Sequence, residues 1–216
     1  MPIVDDVRLH FDRVAGETRK AAGYLAVSRA VMRVPNFARR WEDSDCREAL
    51  HYTREGTHMA FAVTLAAVYD TSRDAITLPR LIRRLGERSV QYAFAHHRQV
   101  PMDSIAANVG IAARRFARIQ ALPIYQSLKQ LRHTVVAHHG ADTTSHGATV
   151  GPLNRLMVRT VVLVDHLGAM IKGEPEGNAG LAREILRQSA EVWSRGMDAA
   201  SYGDLQQRTP DEPSGR

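Results

Sequence analysis

A single cysteine, Cys46, stands in a chain of 216 residues, so no internal disulfide can form and the chain suits a reducing compartment. Cys46 lies just inside an expected helix start, where a small packing residue is the plain reading, and no partner histidine can be argued for nucleophilic chemistry. Aromatic residues supply only 6% of the chain, which leaves packing to Ala, Leu and Val and favours helices. No segment alternates apolar and polar residues as a half-buried strand would. The longest near-apolar stretch, Met59 to Tyr69, is too short to span a bilayer. Asp5, Asp6 and Arg8 interrupt the first apolar residues, which argues against a signal peptide. There is no Gly-rich phosphate loop of either common type. These absences lead us to expect a cytoplasmic protein with no membrane partner and no bound cofactor.

Positive charge, in contrast, is plentiful. The net charge is +6 with a sequence pI near 9.9, a balance that attracts polyanions and favours nucleic acid over acidic partners. Arginine outnumbers lysine 26 to 3, a bias that carries little functional weight alone. Basic clusters stand at Arg80-Leu81-Ile82-Arg83-Arg84 and Arg114-Arg115-Phe116-Ala117-Arg118. Both have helical spacing with apolar residues between, as a solvated helix face also would.

The punctuation along the chain reads as an all-α, single-domain helical bundle. N-terminal helices run from about Val4 to Val34, with a break expected near Gly16, and stop at Pro35. Asp43, Ser44 and Asp45 offer N-caps for a helix reaching Asp70, with Asp45 and Glu48 at capping-box spacing. From Met59 onward that helix is apolar nearly all round, which predicts a central, buried position. Thr77 should cap a short helix with Pro79 in its first turn. A further helix spans about Glu87 to Arg98, and Asp103 or Ser104 caps the next, which is interrupted at Pro123. Another helix places Ile124, Leu128, Leu131 and Val135 on one face and ends near Gly140. After a loop at 141–150, two last helices cover about Leu153–Lys172 and Asn178–Tyr202. We read residues 1–203 as the domain, with 1–40 open to description as an N-terminal extension, and 204–216 as a disordered tail.

Chemistry concentrates in Leu131-Arg132-His133-Thr134-Val135-Val136-Ala137-His138-His139-Gly140. Arginine holds a phosphate bidentately and keeps its charge, and histidine gives and takes protons near neutral pH. Placed one or two helical turns apart, the two are what metal-free cleavage of a phosphodiester needs. Spacing alone is weak: with this many arginines and histidines, about three to four such pairs arise by chance. The chain offers Arg132–His138, Arg132–His139 and Arg159–His166. The last sits in an apolar helix interior with no polar residue after the arginine, so context favours Arg132. On a regular helix Arg132 and His138 stand about 120° apart, but Arg132 and His139 only about 20°. Either the helix unwinds ahead of His138, which Gly140 permits, or His139 is the partner. The bland alternative makes all three surface cations near a helix C-terminus, favoured by its dipole. A metal site is not expected: His133, His138, His139 and His146 share no helical face with a carboxylate, no cysteine is near, and His96-His97 is equally isolated.

The Arg132-to-His138 stretch resembles the Arg-x(4–6)-His motif of HEPN domains. Val68-Tyr69-Asp70, the loop Thr71–Ala75 and Ile76-Thr77-Leu78-Pro79-Arg80-Leu81 resemble the aromatic-Asp and hydroxyl-Leu-Pro elements of the abortive-infection U-type branch, and Leu131 to His139 resembles that branch's Leu-Arg-polar-x-Val-Val-Ala-His pattern. The resemblance covers roughly residues 40–190. It implies a HEPN-type bundle, usually homodimeric, acting as a metal-independent endoribonuclease in phage defence or in a toxin–antitoxin module. Arg132 and His138 would be the catalytic pair, His133 a supporting residue that orients phosphate or a partner's arginine, and His139 the alternative to His138. RNA, a second copy, and an antitoxin or regulatory protein are the partners implied. Two other readings stay open: a non-catalytic HEPN module that binds RNA or a partner protein, and a purely structural dimerisation module. One departure matters. Antitoxin-regulated relatives carry a tyrosine two residues after the motif histidine, where this chain has Gly140, so AMP transfer onto that position is not available here.

Overall fold

Val4, Val7, Phe11, Val14, Thr18, Ala21 and Leu25 recur every three or four residues and are all buried. Such a stripe lies along one face of a helix and commits it to a core. It forms α1 (Pro2–Ala30), which runs through Gly16 without interruption. The expected break is therefore absent. A helical glycine costs only about 1 kcal/mol relative to alanine, and the buried neighbours Val14, Ala15 and Thr18 outweigh it.

The computed structural model describes residues 2–30, 33, 34, 36, 47–71, 75–128 and 150–207. After α1 come α2 (Arg47–Val68), α3 (Leu78–Leu85), α4 (Arg88–Arg98) and α5 (Met102–Gln120). A further helix, α6, is described over 123–128, followed by α7 (Val150–Ile171) and α8 (Asn178–Gln207). No strand occurs among the described residues, so the all-α expectation holds. The last helix continues past Tyr202, where the sequence reading ended it. None of the described helices is long and apolar enough to cross a membrane.

The spine of the bundle is α1, which packs against α2, α8, α7, α3 and α4, while α5 packs against α7, α4 and α3. Most of the buried apolar residues form one continuous cluster. Within α2, burial begins in earnest at Phe61 and includes Leu65, Ala66 and Val68, with Tyr69 buried just after the helix; Met59 and Ala67 face outward, so the all-round burial expected from Met59 onward is one-sided. A smaller cluster joins Ala30 and Val34 to Trp193 of α8, whose indole Nε1 donates to the Val27 carbonyl at 3.3 Å.

Two helix starts differ from the capping expectation. Thr77 occupies the N-cap position of α3 but makes no side-chain cap hydrogen bond. Pro101, not Asp103 or Ser104, is the N-cap of α5. Its ring fixes φ near the helical value, and Asp103 then falls in the first turn, where a carboxylate still suits the helix dipole. Gln99 in the left-handed region, at φ 54°, turns the chain out of α4.

The C-terminal end of α7 is held by cations. Arg98 Nη1 donates to the carbonyls of Ala169 and Met170 at 3.1 and 2.6 Å. Lys172 pairs with Asp12 at 2.6 Å and Glu176 at 2.9 Å, and Arg19 reaches the same Glu176 at 3.1 Å. Gly173 and Gly177, at φ 99° and 67°, carry the turn between α7 and α8.

The continuity of α1 has a direct test. A Cβ at Gly16 meets nothing within 4 Å, so Gly16→Ala should raise stability by roughly 0.5–1 kcal/mol in urea titration. Destabilisation would mean that the helix does need a break there.

Candidate functional site

The residues singled out for catalysis, Arg132, His133, His138 and His139, lie outside the described residues, as do Leu131, Val135, Gly140 and His146. What is described is the frame around them: α6 up to residue 128, which leads into the segment, and α7 from Val150, which leads out of it. Ile124 and Leu128 are buried, as the one-face reading of this helix requires of its described part.

Tyr69 holds the frame together. It closes α2 with a ring only 2% exposed. Its ring stacks on Phe116 of α5, centroids 6.4 Å apart and planes 14° apart. It meets Tyr125 of α6 edge to face, at 5.3 Å and 82°. Its hydroxyl bonds Thr160 of α7. Direction follows from proton counting: Thr160 Oγ1 gives its one hydrogen to the Leu156 carbonyl at 2.8 Å, so the Tyr69 hydroxyl is the donor between the two. Burial pushes the Tyr69 phenol well above its ordinary pKa, which keeps it a donor. One residue of the aromatic-Asp element thus touches three helices, including both that flank the segment 129–149. Asp70 follows at the helix end, half-buried, its N–H directed at the Ala67 carbonyl at 3.3 Å.

The hydroxyl-Leu-Pro element is tied in from the other side. Leu78 is fully buried, and the Thr77 carbonyl accepts from Leu81 N at 2.9 Å and from the ring of His10 at 3.0 Å. A carbonyl only accepts, so His10 carries its proton on Nε2. Burial, and less so Arg80 and Arg84, holds the pKa of His10 below its ordinary value, against the opposing pull of the Thr77 bond.

The competing pair is engaged elsewhere. His166 Nε2 donates to the Asn108 carbonyl at 3.1 Å, and Arg159 Nη1 lies 3.4 Å from the Arg118 carbonyl, both across the contact of α5 with α7. Of the paired histidines, His97 accepts from Arg8 Nη2 at 3.0 Å. Among the described residues no three His, Cys, Asp or Glu side chains cluster as a metal would require. Sequence reasoning missed Thr160, Phe116, Tyr125 and His10 as frame residues. The signal for Thr160 was available: a hydroxyl at the head of the apolar run Val161 to Val164, one turn from Leu156 and Leu163, must find partners inside the core.

A HEPN family model, described as AbiU2, matches residues 5–179. No curated protein sequence and no solved structure matches the chain.

Two predictions follow the hydrogen bonds of the frame. Thr160→Val strands the Tyr69 donor in the core and should cost about 1–3 kcal/mol in chemical denaturation. Adding Tyr69→Phe removes the stranded group, so the double variant should be more stable than Thr160→Val alone. The second concerns His10. Because its pKa is lowered in the folded state, the unfolded chain takes up the proton first. Stability should fall as pH drops through 6.5 and below, and the urea midpoint of His10→Gln should depend less steeply on pH between 7 and 5.

Proposed function

Since the chain belongs to the AbiU2 family of HEPN domains, an abortive-infection type, we propose that it is a metal-independent endoribonuclease acting in phage defence or a toxin–antitoxin module. The observation that carries this reading is the junction at Tyr69, which links the family's aromatic-Asp element to α6 and α7, the two helices that bracket Arg132 and His138. A fold that ties the two flanking helices together through one aromatic and hydroxyl contact supplies rigid support on either side of a reactive pair.

In the proposed reaction the imidazole of His138 takes the proton from a ribose 2′-OH. The 2′-oxygen bonds to phosphorus, and the bond from phosphorus to the 5′-oxygen breaks. Arg132 neutralises the negative charge that builds on the phosphorane, an interaction typically worth about 3–4 kcal/mol in the transition state. The leaving 5′-oxygen takes up a proton from a second histidine, supplied by the same segment of a second copy in a homodimer. The products are a 2′,3′-cyclic phosphate and a 5′-hydroxyl, so RNA is cut and DNA is not. His133 orients the phosphate or the second copy's Arg132. An antitoxin, if one is encoded alongside, regulates by a route other than AMP transfer at position 140, which is Gly140.

The test is incubation of the purified protein with a mixed RNA pool in EDTA, beside an Arg132→Ala, His138→Ala double variant. Cleavage by the wild type alone, leaving 2′,3′-cyclic ends, is expected, with a loss of at least about 100-fold in the double variant. Among single variants, His138→Ala should lose cleavage and His139→Ala keep it; the reverse moves the role to His139. Equal silence of wild type and double variant would favour a non-catalytic HEPN module that binds RNA or a partner protein.

A further inference from the structure

The positive charge of the chain is not spread over it. Between Ser104 and Val164 stand six arginines and one lysine against a single carboxylate, Asp142, while the remainder carries 22 basic and 22 acidic residues. The whole net charge of +6 therefore falls within the stretch that runs from α5 through the motif to α7. Five of these arginines are described: Arg114, Arg115 and Arg118 on α5, and Arg155 and Arg159 on α7. All but Arg115 are exposed, and no described carboxylate pairs with any of the five. Elsewhere in the molecule arginines do find partners, Arg19 with Glu176, Arg84 with Asp6 and Arg187 with Glu184 and Glu191.

The helix contact fixes the order of these cations. Asn108 meets His166 and Arg118 meets Arg159, so α5 and α7 run antiparallel. Arg114 and Arg118 are one turn apart on α5, and Arg155 and Arg159 one turn apart on α7. Joined at the 3.4 Å approach of Arg159 to the Arg118 carbonyl, they make one row: Arg114, Arg118, Arg159, Arg155. Successive positions on one helix are about 6 Å apart along the axis, and the row heads toward the start of α7. Arg159 uses one of its five donors in that approach and keeps the rest. The exposed neighbours of the row are Ala113 and Ala117 on α5 and Val158 and Val162 on α7, none of them an aromatic anchor of the kind that seats a protein partner.

We propose that this row is a phosphate track, which binds the backbone of single-stranded RNA without reading its bases and leads it toward the segment between α6 and α7. The proposal deepens the ribonuclease reading and rests on it for the identity of the polyanion. The contacts are to phosphate alone, so binding survives in an RNA that cannot be cut.

The probe is a fluorescein-labelled 2′-O-methyl RNA of about 20 nucleotides, which keeps every phosphate and lacks the attacking hydroxyl; binding is read by anisotropy over a range of salt. Wild type should bind with a steep salt dependence. The Arg114→Gln, Arg118→Gln, Arg155→Gln, Arg159→Gln variant should bind at least about tenfold more weakly near 100 mM salt, with a log–log salt slope shallower by about three. Arg118→Gln, Arg155→Gln should give about half that change in slope, and lysine at all four positions should restore affinity to within about threefold. Arg13→Gln, Arg29→Gln, on the exposed surface of α1, should change nothing. The track is overturned if wild type does not bind the probe, or if the fourfold variant keeps its affinity and slope. It is equally overturned if that variant changes the elution volume on a sizing column and leaves binding intact, since the face, with its exposed Val158 and Val162, would then belong to a second copy. Binding of the probe through these arginines by a protein that cuts no RNA would leave the track standing and remove the nuclease reading.

Discussion

Burying the Tyr69 hydroxyl obliges the fold to provide an acceptor, because a stranded donor in the core costs more than the bond itself contributes. Thr160 is that acceptor: its own hydrogen is committed to Leu156 one turn back, which leaves the Tyr69 hydroxyl to donate. The bond therefore fixes how α7 is rotated about its axis relative to α2. The aromatic neighbours add two further constraints, since a near-parallel stack on Phe116 and an edge contact with Tyr125 cannot both persist if α5 or α6 shifts. Four helices are registered by one side chain, and two of them flank in sequence the segment that contains Arg132 and His138.

Around that junction α1 gives the bundle its length. A helix that packs against five others is stabilised by all of them, which explains its tolerance of Gly16 and of buried polar groups. Thr18 returns its hydroxyl to the Val14 carbonyl at 2.8 Å, and His10 spends its ring hydrogen on the turn before α3. Both polar groups find their partners within the protein, Thr18 one turn back and His10 across the bundle. His10 also connects the N-terminal helix to the Thr77-Leu78-Pro79 element, a tie between residues far apart in the chain.

Much of this was legible in the sequence because it rests on periodicity and on the two residues with the strongest backbone constraints. The helices at Arg88–Arg98 and Met102–Gln120 end and begin close to where Pro101 and Pro123 put them. The one-face pattern of Ile124 and Leu128 also holds. Local rules failed in two places: a break at Gly16 is reasonable for an isolated helix but the buried stripe on either side overrules it, and Thr77 takes the N-cap position without the side-chain bond expected of it. The partners of Tyr69 were illegible for a different reason. Thr160 is 91 positions away, and a pattern within a helix names the face that is buried but not the group it meets. The candidate pair itself, Arg132 and His138, owes its identification to residue chemistry and to the family's pattern.

The cations at the C-terminal end of α7 have a further consequence. Arg98 and Lys172 cover the end at which the helix presents its partial negative charge, while the opposite end, at Val150, presents the positive one. The helix-end charge acts only over the first turn, but Arg155 and Arg159 stand in the next turns of the same helix, so the field around that end is positive locally. A local field of this kind acts on the rate of encounter with any polyanion more than on the fold, and it fades once ionic strength shortens its reach.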